Sequence, residues 1–225
     1  DQLSRPWSLA LLPGGNYLVT ERSGALRIVS KHGVVSAPIR GLPNISVIGQ
    51  GGLLDAVLHP EFSANGFIYI SYVVGDSKIG FSNEVMRATL VSLNPVGAAA
   101  RPSKNLFEAS LQYSLTGLKK IFTALPKIQG GRHFGGRLAF DKASYLFISL
   151  GDRGIRQHSQ DLQTHHGSII RLSDNGDIPK DNPFINNRLA LPEIYSYGHR
   201  NVQGLAMHPT TGEIWSHEHG PQGGD

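Results

Sequence analysis

One short pattern returns four times along this 225-residue chain, and it constrains the fold more than any other feature. Each copy has an apolar pair, a turn, and a strand rich in aromatic and β-branched residues; the copies span residues 8–19, 54–70, 136–148 and 204–215. A single hairpin of this kind cannot cover its own hydrophobic face, so it must stack on its neighbours. The repetition favours a β-propeller, because a β-sandwich has short strands but gives no reason for one hairpin to return four times.

The segments between the copies fit further strands of the same blades. Residues 24–28 and 167–172 predict one more strand after the first and third copies. Residues 74–120 alternate less clearly and predict outer strands with an insertion, while residues 174–191 predict a long loop. Because a blade takes about 40–50 residues, a chain of this length can hold four or five blades at most.

Composition excludes several classes of function. The formal net charge is +4, but Lys and Arg are spread thinly and the longest run is Lys119–Lys120, so we expect no nucleic-acid partner. No stretch approaches the roughly 18 apolar residues of a membrane span, so we expect no membrane insertion. The chain has 0 cysteines, which argues against a disulfide framework and leaves the compartment open.

Three motifs with polar side chains precede repeated hairpins. Gln50 lies among glycines, which let a backbone approach a ligand closely but equally suit a plain turn. His133 lies between two Gly pairs and could act as a general base near neutral pH, although a surface histidine would look the same. Arg200 and Asn201 could donate to carboxylate or carbonyl oxygens, or the arginine could tie together loop carbonyls.

A fourth motif, 217–225, follows the last copy. Alternation on a strand would place His217 and His219 on one face, which supplies two ligands of a transition-metal site but not a third. Loop carbonyls in the same segment would instead suit calcium. The spacing alone favours neither metal. Nucleophile elbows, phosphate-binding loops and dinucleotide fingerprints do not occur in the sequence, which removes the main support for hydrolases, kinases and nicotinamide dehydrogenases.

Taken in order, five motifs resemble those of the soluble pyrroloquinoline quinone (PQQ)-dependent aldose sugar and glucose dehydrogenases. They are Gly49–Leu53, His133–Leu138, Ile178–Phe184, Tyr197–Gly204 and Glu218–Asp225. The resemblance implies an all-β, six-bladed β-propeller with PQQ and Ca²⁺ on its top face. It also implies oxidation of aldoses at the anomeric carbon to the lactone. We expect residues 1–225 to form one incomplete domain that covers roughly the first four blades.

The resemblance also assigns roles to particular residues. It implies that His133 is the general base and that Gln50 assists at the substrate hydroxyl, with a weaker match for Gln157 as a second substrate contact. Arg200 and Asn201 would contact the quinone oxygens. Gly220 and Pro221 would offer backbone carbonyls to calcium.

Two departures from the resemblance matter. Arg132 precedes His133 where the glucose-preferring branch has an acid, which favours the broader aldose branch. The chain stops at Asp225, inside the calcium motif, and the basic residues of the later blades are not in it. We therefore expect residues 1–225 alone to be inactive.

The sequence leaves two rival functions open. A calcium-dependent lactonase would share the fold and the histidine but would not need Arg200 and Asn201 aimed at a quinone. An exported, non-catalytic binding propeller would need neither. Under the favoured function we expect a small-molecule aldose as substrate, an external electron acceptor, a periplasmic or secreted location, and a monomer or homodimer. The chain begins at Asp1 without an export signal, which fits a mature exported protein and a trimmed chain equally.

Overall fold

The computed structural model describes residues 2–93 and 112–220, and most of its regular structure is β-strand. The strands in these ranges are β1 (Pro6–Leu11), β2 (Tyr17–Glu21), β3 (Ala25–Val29), β4 (Leu53–Leu58), β5 (Phe67–Asp76), β6 (Gly80–Ser92), β7 (Tyr113–Thr123), β8 (Leu138–Phe140), β9 (Leu146–Ser149), β10 (Ser168–Leu172), β11 (Ile194–Tyr197), β12 (Val202–Met207) and β13 (Ile214–Glu218). A one-turn helix, α1 (Phe62–Asn65), lies in the β4–β5 connection, and a 3-10 helix spans Arg156–Gln160.

Each strand pairs antiparallel with its neighbour in sequence, which gives four meandering sheets. The first sheet contains β1–β3, the second β4–β7, the third β8–β11 and the fourth β12–β13. Every sheet begins with one of the four repeated hairpins. The predicted third strands are present as β3 and β10, and the predicted outer strands as β6 and β7. The four copies therefore occupy equivalent positions in successive blades, as the repetition predicted.

The second sheet buries both of its faces, which a two-sheet sandwich would not do. Along β5, Ile68 and Ile70 pack in a cluster with Leu18 of the first sheet, whereas Tyr69 packs in a cluster with Ile148 of the third. Side chains alternate across a strand, so these two sets leave opposite faces of the same sheet. Sheets stacked in series in this way are blades of a propeller.

The first strands of the four sheets surround a central cavity of about 770 Å³. β1 packs on β4, β4 on β8, and β8 on β12. Because these inner strands hold equivalent positions, the segments that precede them all reach one end of the cavity. The second strand of each hairpin runs antiparallel to the first, so the residues that follow it reach the same end.

A recurring hydroxyl ties each blade to the next. In each of the first three blades, a buried Ser or Thr on the second strand donates to a backbone carbonyl at the start of the following blade. The three bonds are Thr20 to Leu54 O at 2.6 Å, Ser71 to Gly136 O at 2.5 Å, and Ser149 to Val202 O at 3.3 Å. These bonds link the second strand of each blade to the start of the next inner strand.

The long loop predicted over residues 174–191 connects β10 to β11, and its Ile178–Phe184 motif packs against the third blade. Asn182 is buried and donates to the carbonyls of Arg171 and Pro192 at 3.1 and 3.0 Å. Arg171 in turn forms an ion pair with Asp181 at 3.1 Å. The Ile178–Phe184 motif therefore fastens the outer side of the third blade. In the ranges that the structure describes, no helix has the length and apolar character needed to cross a membrane.

Candidate active site

The three polar motifs that precede hairpins meet at one end of the central cavity. Gln50 precedes β4, His133 precedes β8, and Arg200 and Asn201 precede β12. Two neighbouring cavities open there. The one that we call the His133 cavity is about 620 Å³ and also contains Arg200, while the Asn201 cavity is about 420 Å³ and also contains Gln50. The fold thus brings four sequence-predicted residues together from three blades.

His133 is held by a carboxylate that the sequence did not single out. Its Nδ1 lies 2.7 Å from Oδ1 of Asp152, whose side chain is only 3% exposed. Asp152 also accepts the Gly154 N–H at 2.7 Å, which fixes the carboxylate. A carboxylate can only accept hydrogen bonds, so Nδ1 is the donor of this bond, and in the neutral imidazole the lone pair is on Nε2. This tautomer suits a general base that acts through Nε2.

The backbone of His133 adopts a left-handed conformation with φ of 49°. Its N–H donates to Oε1 of Gln50 at 2.7 Å, so the glutamine is oriented by the histidine loop. Gly151 lies against this loop, and a Cβ there would come within 2.2 Å of the His133 carbonyl oxygen. A side chain at 151 would therefore displace the candidate base.

Arg153 anchors the segment that leads into His133. Its guanidinium donates to the carbonyls of Gly130, Arg132 and Phe81 at 2.7, 2.9 and 2.9 Å, and it stacks over the Phe134 ring. Burial lowers the pKa of Arg153 to about 10, which still leaves it charged near neutral pH. Hydrogen bonds from a charged donor to three carbonyls make this loop well defined.

Arg200 and Asn201 are fixed by Glu218, at the end of β13. The Glu218 carboxylate accepts the backbone N–H groups of both residues, at 2.6 and 3.0 Å. The Arg200 guanidinium donates to the His219 carbonyl at 2.9 Å. Asn201 is buried, and its Oδ1 accepts the Gly135 N–H at 3.1 Å. Because Oδ1 makes this bond, the Asn201 amide nitrogen remains available as a donor.

The remaining predicted residues are less closely placed. Gln157 is exposed on the 3-10 helix; its helix neighbours Arg156 and Gln160 line the His133 cavity, but Gln157 itself lines neither cavity. Gly220 follows β13, and Pro221 lies outside the described residues. Within 2–93 and 112–220, no three His, Cys, Asp or Glu side chains converge as a metal cluster, so the alternative of a site at His217 and His219 gains no third ligand.

Asp152 and Arg153 are site residues that sequence reasoning missed, and Glu218 was part of the Glu218–Asp225 motif but was given no role. Asp152 and Arg153 come soon after β9, and Glu218 ends β13, so all three follow the second strand of a repeated hairpin. Gly151-Asp152-Arg153-Gly154 is a charged pair between glycines, much like the setting of His133. Searching the ends of the second strands, as well as the starts of the first, would have found them.

A stacked pair of histidines, of which His166 is buried, supports the 3-10 helix beside the His133 cavity. His166 is 2% exposed, stacks on His158 with ring centroids 5.5 Å apart, and its Nε2 lies 2.7 Å from the Pro126 carbonyl oxygen. Burial lowers the pKa of His166 to about 4, more than the Pro126 hydrogen bond raises it. In the folded protein the His166 ring therefore stays neutral as the pH falls below 6, until the pH approaches 4.

We expect acid to destabilise the fold through His166. Between pH 6.5, where an unfolded histidine titrates, and about pH 4, only the unfolded chain takes up this proton, so the free energy of unfolding falls as the pH falls. The loss is about 2–3 kcal/mol by pH 4.5. Denaturant unfolding of wild type and His166→Gln at pH 7 and 4.5 measures it, with exposed His32→Gln as the matched control. The account fails if His166→Gln and wild type lose the same stability.

A family model described as Glucose / Sorbosone dehydrogenase matches residues 3–225 of this chain. The chain belongs to the glucose/sorbosone dehydrogenase family. Among its relatives, the aldose sugar dehydrogenase YliI of Escherichia coli is 42% identical over 226 residues, covering 100% of this chain and 56% of the relative. The chain thus spans about half the length of the curated family members that it matches.

Solved structures of glucose/sorbosone dehydrogenase relatives superpose on all four blades. The apo form of the soluble aldose sugar dehydrogenase from Escherichia coli gives a TM-score of 0.86 at 41% identity, covering 100% of this chain and 60% of that one. The PQQ-bound form of aldose sugar dehydrogenase from Streptomyces coelicolor gives 0.71 at 29% identity, covering 95% and 56%. The likeness confirms the predicted propeller, of which this chain contributes four blades.

Proposed function

We propose that this chain is part of a PQQ-dependent aldose dehydrogenase that oxidises the anomeric carbon of an aldose to the lactone. The observation that carries the proposal is the His133–Asp152 pair, which shares a cavity with Arg200 and lies beside Asn201. A base with a fixed tautomer next to cationic and amide donors suits removal of a proton from a hydroxyl while negative charge develops on a neighbouring oxygen.

In this proposal His133 Nε2 takes the proton of the anomeric hydroxyl. Asp152 holds the ring through Nδ1, and its negative charge stabilises the imidazolium that forms. Gln50 uses its carbonyl oxygen to bind the His133 N–H, so its amide nitrogen is left to donate to a sugar oxygen. Binding and deprotonation of the sugar are thus assigned to residues of the second and third blades.

The donors on the fourth blade fit a quinone. Arg200 uses Nη1 for the His219 carbonyl, and its other N–H groups remain for an acceptor. Asn201 has its carbonyl oxygen engaged by Gly135, which leaves its amide N–H groups for a second acceptor oxygen. Adjacent arginine and amide donors match the paired carbonyl oxygens of an ortho-quinone. When bound there, PQQ would accept the hydride from the anomeric carbon.

Calcium belongs to the proposal through the Gly220 and Pro221 carbonyls. Glu218, two residues before Gly220, accepts the backbone N–H groups of Arg200 and Asn201. The cation would therefore bind next to the residues that hold the quinone. An external electron acceptor, a periplasmic or secreted location, and a monomeric or homodimeric state complete the proposal.

A redox-dye assay of the full-length protein tests this function. Aldoses are supplied with PQQ and Ca²⁺ together, with each alone, and with neither. Turnover that requires both is the expected result. Calcium-dependent hydrolysis of a lactone without quinone would instead establish the lactonase alternative, and the absence of both activities in a folded, PQQ-saturated protein would favour a binding propeller.

A further inference from the structure

The walls of the His133 cavity are strongly cationic. Three arginines, Arg132, Arg156 and Arg200, line it, against a single carboxylate, Asp152. That carboxylate is already engaged by His133 and by the Gly154 N–H. A cleft lined by charges of one sign concentrates ligands of the opposite sign.

Two of these arginines have unused side chains. The guanidinium groups of Arg132 and Arg156 are exposed and make no hydrogen bond or ion pair with any residue in the described ranges. In contrast, Arg200 donates to the His219 carbonyl, and Arg153, just outside the cavity, binds three carbonyls. Arg132 and Arg156 therefore retain their full donor capacity toward a ligand.

The positions of the two arginines place this ligand against the candidate base. Arg132 directly precedes His133, and its carbonyl is pinned by Arg153 at 2.9 Å, so the start of its side chain is fixed. Arg156 begins the 3-10 helix and lines the same cavity. A sugar whose hydroxyl reaches His133 therefore lies in the cavity that both arginines line.

We propose that the preferred substrate is an anionic aldose, with its carboxylate or phosphate bound by Arg132 and Arg156. This inference rests on the proposed function and specifies its substrate class. The planar guanidinium presents paired donors that match carboxylate and phosphate oxygens, which a neutral sugar lacks. The anion is held at the end of the sugar distant from the anomeric carbon, so that C1 stays at His133.

Steady-state kinetics of the full-length protein, loaded with PQQ and Ca²⁺, test the substrate class. D-Glucose, D-glucuronate and D-glucose 6-phosphate are compared, the last two distinguishing carboxylate from phosphate. We expect kcat/KM for at least one anionic sugar to exceed that for glucose by about 10-fold or more, the gain typical of a charged hydrogen bond. Added salt should reduce this advantage.

Variants assign the effect to the two arginines. Arg132→Gln and Arg156→Gln should each reduce the ratio of kcat/KM for the anionic sugar to that for glucose. Arg188→Gln removes the same charge from an exposed position outside both cavities and should leave the ratio unchanged. Calorimetric binding of D-glucuronate to the quinone-free protein gives a second readout and should weaken in the same two variants.

The outcomes distinguish failure of the anionic-substrate inference from failure of the proposed dehydrogenase function. Equal kcat/KM for neutral and anionic aldoses would overturn the inference and leave the dehydrogenase standing. Loss of PQQ affinity in Arg132→Gln or Arg156→Gln, with an unchanged substrate ratio, would also overturn it, because the arginines would then serve the cofactor. If no aldose is oxidised but glucuronate binds through these arginines, the anion site stands and the proposed function falls.

Discussion

Replacing His133 with alanine is expected to lower kcat of the PQQ- and Ca²⁺-loaded full-length protein by on the order of 10²–10⁴-fold. The ring is the group in the His133 cavity whose tautomer is set for proton removal, through its 2.7 Å bond to Asp152. Alanine removes the proton acceptor but leaves Arg200 and Asn201, which are held by Glu218, in place.

Turnover assays and a quinone titration check this prediction together. PQQ binding to His133→Ala should stay close to wild type, since the proposed cofactor contacts lie on the fourth blade. Exposed His32→Ala, on the first blade, serves as the control and should keep full activity. Near-normal kcat in His133→Ala with PQQ bound would show that another group acts as the base.

The second large effect is expected from Asp152→Asn. An asparagine of the same shape can donate its amide N–H to Nδ1, which drives the ring proton to Nε2 and removes the lone pair that faces the hydroxyl. It also removes the negative charge that stabilises the imidazolium. We expect kcat to fall by on the order of 10²–10⁴-fold, as befits loss of the working base rather than of a packing contact.

A spectroscopic readout distinguishes this tautomer effect from simple disruption. The ¹⁵N chemical shifts of the His133 ring should report a protonated Nδ1 in wild type and a protonated Nε2 in Asp152→Asn. Asp76→Asn is the matched control: Asp76 accepts two backbone N–H groups on an exposed turn and lines neither cavity. A variant with reduced kcat and an unchanged wild-type tautomer would refute this role for Asp152.

The blade structure could be predicted from the sequence because it is local and repeated. Each hairpin carries its own period-two pattern, so the positions of β1–β2, β4–β5, β8–β9 and β12–β13 follow from residues close in sequence. The site motifs could be predicted for a related reason: Gln50, His133 and Arg200 each directly precede an inner strand, and inner strands start at one end of the propeller.

The partners of those motifs could not be predicted, because they depend on packing between strands and blades. His133 and Asp152 are 19 residues apart in sequence, and only the β8–β9 pairing with its flanking loops brings them together. Glu218 meets Arg200 through the pairing of β12 with β13. Conversely, the Ile178–Phe184 motif is one of the five that carry the family resemblance, yet its Asn182 binds carbonyls at the outer edge of the third blade and not at the site.

Single-turnover oxidation tests the central claim most directly. Full-length protein loaded with one PQQ and Ca²⁺ is mixed, in excess and without an external acceptor, with an aldose labelled with deuterium at the anomeric carbon, and the lactone is quantified by rapid quench. The account predicts one lactone per sugar, formed more slowly from the deuterated than from the protonated aldose, and suppressed in His133→Ala. Lactone absent from the quenched reaction, or formed equally fast by His133→Ala, would contradict it.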